Sequence, residues 1–97
     1  MDIETALAFA AEHPAFAGHF PGAPIVPGVL LLDEAVHAAQ HGGMAVTGVA
    51  SAKFLRPVGP DQALVLACAA EGARVNFNIT QAGQPVAAGQ LLAADGP

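Results

Sequence analysis

The side chains best suited to chemistry gather in the first half of the chain: His13 and His19 in a Pro/Gly-rich stretch, then Asp33, Glu34, His37 and His41. An imidazole titrates near neutrality, so a histidine such as His19 suits proton abstraction. A histidine in such a loop is ordinarily a surface turn residue, however. Asp33 follows an apolar run, where desolvation favours the protonated carboxyl and hence an acid. Its ordinary role would be one member of a solvated stripe, as expected of Glu34 and His41. Gly28 can present a backbone N–H with no side chain to block close approach. His13, His19 and His37 lack the short paired spacing of a metal site, so no metal is expected. Cys68 lies in the apolar run 63–70 and reads as a small buried hydrophobe, with no disulfide possible.

Those residues need elements to position them. Pro14, Pro21, Pro24 and Pro27 with Gly18, Gly22 and Gly28 exclude helix and central strand over 13–28, leaving an ordered loop or a linker. From Val29 to His41 there is no Pro or Gly, with Pro27-Gly28 before and Gly42-Gly43 after, which predicts one helix. At about 100° per residue Asp33, Glu34, His37, Gln40 and His41 share one sector, interrupted by Leu30. The remaining apolar positions predict a helix wrapped by protein on most sides. Val75, Phe77 and Ile79 then alternate with polar residues as in a half-buried strand, and weaker runs cover 46–57, 62–70 and 85–94. Breaks at Gly59-Pro60-Asp61, Glu71-Gly72 and Ala82-Gly83 are spaced as hairpin connections. Residues 3–11 are ambiguous: propensity favours helix, while Ile3, Thr5, Leu7 and Phe9 alternate as in a strand.

A chain of 97 residues forms one domain, 1–97, with a thin, Ala-rich core that favours dimerisation. The net charge of −5, with Lys53, Arg56 and Arg74 as the only Lys or Arg residues, excludes a nucleic-acid binder. The start, Met1-Asp2-Ile3-Glu4, is acidic where a secretory signal is basic. No apolar stretch approaches the roughly 20 residues of a membrane span. A cytoplasmic protein is the expectation.

The run from His13 to Leu30, with His19 inside Gly18-His19-Phe20-Pro21-Gly22 and with Pro27-Gly28-Val29-Leu30 at its end, resembles the active-site segment of the β-hydroxyacyl-acyl carrier protein dehydratases. Lys53 to Asp61 resembles the strand and turn after the helix in that family, and 83–93 resembles its closing strand. The resemblance implies an α+β hotdog fold, a curved antiparallel β-sheet wrapped around one central α-helix, with two subunits joined edge to edge. It favours strand for 3–11. It also implies dehydration of (3R)-hydroxyacyl thioesters on acyl carrier protein, in fatty-acid or polyketide-type synthesis, without a cofactor.

By the same resemblance, His19 acts on the substrate α-carbon and Asp33, reached from the other subunit, is the acid. Gly28 offers its N–H to the thioester carbonyl, with Val29 beside it, and the Ile25 carbonyl holds the other ring nitrogen of His19. His37 stands where the family has a supporting Gln, and an imidazolium there would oppose a protonated Asp33. Acyl carrier protein is the expected partner. Lys53, Arg56 and Arg74 are expected to converge as its docking patch. The expected assembly is a homodimer, a set of such dimers, or a heterodimer with a related hotdog subunit. Two other functions fit the scaffold: a hotdog thioesterase, against which the His-plus-Asp pattern argues, and a non-catalytic subunit that completes a composite site.

Overall fold

The computed structural model describes residues 2–10 and 25–94. Along the chain run β1 (Asp2–Leu7), α1 (Gly28–His41), β2 (Val46–Phe54), β3 (Leu64–Glu71), β4 (Arg74–Gln81) and β5 (Gln84–Ala93). The strands form one antiparallel sheet in the order β1-β3-β4-β5-β2, with α1 packed on its inner face. This is the α+β hotdog arrangement that the resemblance implies.

Alternation builds the inner face. Val75, Phe77 and Ile79 of β4 and Leu64, Leu66 and Cys68 of β3 are buried. They meet Leu31, Ala35, Ala38 and Ala39 of the helix in one core. Burial pushes the Cys68 thiol above its ordinary pKa, in keeping with a packing role. Of the ambiguous segment 3–11, residues 3–7 are strand, not helix, because β3 lies beside them with Ile3 opposite Cys68, while 8–10 lie beyond the strand.

Two close approaches hold the curve. A Cβ on Gly89 of β5 would run into the Ser51 carbonyl of β2 and the Phe77 ring, so only glycine lets that ring cross the strand. Register shifts at Val46/Gly48 and Val49/Ser51 in β2, and at Ile79/Thr80 between β4 and β5, add the local twist that bends the sheet around the helix. The strand predicted over 46–57 ends at Phe54, because the Leu55 and Arg56 N–H groups both donate to the Val86 carbonyl, at 2.7 and 3.4 Å.

The helix departs from the expectation of an element wrapped on most sides. Leu31, Ala35, Ala38 and Ala39 are its buried residues, whereas Val29 is 60% exposed and Leu32 and Val36 are half-buried. One face is closed by this chain and the rest is open. No helix among the described residues is long and apolar enough to cross a membrane.

Candidate active site

Gly28 opens α1 directly after Pro27, whose backbone (φ −59, ψ 139) turns the chain into the helix without a side-chain cap. First-turn N–H groups have no acceptor within a helix, and the helix dipole places partial positive charge there. The approach is fixed from both sides. Val26 N–H donates to the Val58 carbonyl at 2.7 Å and Leu30 N–H to the Pro27 carbonyl at 3.0 Å. In front of Gly28 lies a cleft of about 320 Å³, lined by Ile25, Leu31, Phe54, Leu55 and the side of Arg56. The walls are apolar and Arg56 brings the one charge, an arrangement able to take an acyl group with its carbonyl oxygen at the helix start.

Phe54 is a residue that sequence reasoning passed over. A Cβ at position 28 would sit 3.1–3.2 Å from three atoms of the Phe54 ring, so the ring fills the space a side chain would need. The available signal was the glycine itself. Gly is among the poorest residues for a helical position, so one that opens a helix points to a close neighbour.

Asp33 is five residues further along α1, about 7.5 Å in rise and 140° around the axis from Gly28. It is exposed and does not line the Gly28 cleft. Among the described residues, the dry surroundings expected around Asp33 are therefore not supplied by its own chain, and the neighbouring Val29 is itself open. Glu34 faces elsewhere: with His37 and His41 it lines a second groove, of about 390 Å³, against Ile3, Thr5 and Leu7 of β1. The His37 ring stands edge-on to His41, with centroids 4.5 Å apart and planes at 65°. His13 and His19 lie outside the described residues. Among the described residues no group of three or more His, Cys, Asp or Glu side chains could hold a metal ion.

The three cations do not converge. Along β5, Arg74 is level with Leu92 and Lys53 with Ala88, a separation of about 13 Å along the strands and about 10 Å across them. Arg56 is further still, level with Val86. Arg74 donates to Gln90 Oε1 at 3.0 Å, and Gln90 in turn donates to Asn76 at 2.8 Å. Along the sheet, Arg56 thus lies at the cleft with Lys53 three residues before it on the edge strand, and Arg74 is at the far end.

Two curated relatives are the 3-hydroxyacyl-acyl-carrier-protein dehydratases FabZ of Thermus thermophilus and of Chlamydia trachomatis. The first is 44% identical over 66 residues, covering 57% of this chain and 46% of the relative. The second is 37% identical over 97 aligned residues, covering 82% of this chain and 63% of the relative. The chain therefore spans about half to three fifths of the length of these relatives. Among solved structures, the dehydratase heterocomplex ApeI:P from Xenorhabdus doucetiae superposes with a TM-score of 0.85 at 24% identity, covering 96% of this chain and 87% of that one. The pyran synthase domain from module nine of the sorangicin pathway superposes with a TM-score of 0.83 at 19% identity, covering 99% of this chain and 36% of that one. These two likenesses establish the shared fold. A family model described as ApeI-like, ApeI dehydratase, matches residues 1–90, and the chain belongs to that family.

Proposed function

We propose that this chain is a subunit of a hotdog dehydratase that converts (3R)-hydroxyacyl thioesters on acyl carrier protein into trans-2-enoyl thioesters, in fatty-acid or polyketide-type synthesis in the cytoplasm. The observation that carries the reading is the opening of α1 at Gly28 onto the apolar cleft. His19 takes the α-proton, and the electron pair it leaves delocalises toward the thioester carbonyl. The negative charge gathering on that oxygen is met by the Gly28 N–H, backed by the helix dipole and flanked by Val29. As the α–β double bond forms, the β-carbon to oxygen bond breaks and the hydroxyl leaves as water with a proton from Asp33. The Ile25 carbonyl holds the His19 ring and His37 supports Asp33. The reaction so written uses no cofactor.

Gly28 and Asp33 do not share a cleft within one chain, which supports a site completed by a second hotdog subunit. A second copy of this chain in a two-fold dimer supplies Asp33 in the simplest arrangement. The same division favours a second reading, in which a related hotdog subunit takes that place, as the heterocomplex among the fold's neighbours illustrates. Carrier protein docks through Arg56, the cation at the cleft, with Lys53 three residues before it in the same segment.

The test is hydration of crotonyl and longer enoyl thioesters by the purified chain. Turnover by the chain alone supports the homodimer. Turnover only after addition of a related hotdog subunit supports the heterodimer, and inactivity in both settings overturns the dehydratase reading.

A further inference from the structure

Gly28 presents a problem of positioning. An oxyanion donor contributes only when its N–H is held where the charge develops, and a misplacement of about 1 Å can cost about a hundredfold in rate. Glycine is the residue with the greatest backbone freedom. The helix restrains Gly28 from one side, and Pro27 with the Val26-to-Val58 hydrogen bond restrains it from the other. Neither touches the face of Gly28 from which a side chain would project.

That face is occupied by Phe54, with three ring atoms 3.1–3.2 Å from where a Cβ would be. The backbone that carries the ring is well held. Phe54 is the last residue of β2 and pairs with Ala87 of β5, and the next two N–H groups converge on the carbonyl of Val86, which is fully buried. Yet Phe54 is 50% exposed, unlike the aromatic rings of Phe9 and Phe77, which are buried in the core. A large apolar ring carried on a paired strand end, half in solvent, with its covered side against the helix start, is placed for contact with Gly28 more than for core packing.

We propose that Phe54 is a positioning residue: its ring serves as a surrogate side chain that fixes Gly28, and through it the N–H that meets the thioester oxygen. The inference rests on the dehydratase reading. It requires that the contact exist in solution, that loss of the ring lower turnover more than binding, and that residue 28 and residue 54 act as a unit.

Three measurements on the active assembly, homodimer or heterodimer, test it. Proton NMR of the labelled protein should show the Gly28 α-protons displaced by the Phe54 ring current, and Phe54→Leu should abolish that displacement. In steady-state hydration, Phe54→Leu should lower kcat about tenfold or more with KM within about twofold, while Phe54→Tyr, which keeps the ring, should retain most of kcat. Gly28→Ala should be severely impaired because its methyl meets the ring. The double variant Gly28→Ala/Phe54→Leu should then recover activity relative to Gly28→Ala alone, a departure from additivity expected of groups in contact. Normal kcat in Phe54→Leu, a loss confined to KM, a loss matched by unfolding in a thermal melt, or multiplied losses in the double variant would each overturn the inference while leaving the dehydratase reading intact. An unmodified assembly without hydratase activity overturns both.

Discussion

Asp33 and Glu34 are neighbours with different surroundings: the first is exposed on the open side of α1 and the second lines the groove under β1. Asp33→Asn should therefore lower kcat about a hundredfold or more, the range of a lost general acid, and Glu34→Gln less than about threefold. Steady-state hydration kinetics on the two variants decide it, and equal losses would mean the acid is misassigned. The sequence puts both side chains in one polar sector, within which successive residues still point about 100° apart. The exposure of Asp33 fits the solvated stripe that is its ordinary role, but the open apolar residues beside it were not legible. Hydrophobic pattern tells which residues seek burial, and Val29, Leu32 and Val36 seek it as strongly as Leu31 does, but only the three-dimensional sheet shows which of them this chain covers. Phe54 went unnoticed for the same reason, since its partner is 26 positions away on another element.

The elements themselves were read from local rules where those rules suffice. The alternation of Val75, Phe77 and Ile79 marks β4, and Pro27-Gly28 and Gly42-Gly43 bracket α1 within a residue. β1 was ambiguous because its strand state depends on β3, more than fifty residues on, and local propensity carries no trace of that neighbour. The bulges were likewise invisible, since register belongs to two strands at once. The β4–β5 hairpin shows where the sequence is not ideal for its turn. Ala82 and Gly83 both have positive φ, 49° and 79°, the requirement of a type I′ turn, and the left-handed region costs alanine about 1 kcal/mol. Ala82→Asn should stabilise the protein by about 0.5–1 kcal/mol, raising Tm by several degrees in a calorimetric scan. An unchanged or lower Tm would mean the turn is not strained in solution.

At the scale of the molecule, a site divided between subunits predicts complementation. Mixing His19→Ala with Asp33→Asn subunits, each nearly inactive, should restore up to about a quarter of native turnover: half the molecules become mixed dimers, and each holds one intact site of two. Absence of recovery despite subunit exchange shown by mass spectrometry would count against the shared site. The strand order has a different consequence, in time more than in space. β1 is made roughly sixty residues before β3, the strand it pairs with, while β3, β4 and β5 are joined by tight hairpins and can pair as they appear. At about 5–20 residues per second, β1 waits several seconds with Ile3 and Leu7 uncovered. Over that interval β1 is open to misassociation, and the groove between β1 and α1 cannot close until β3 has been made.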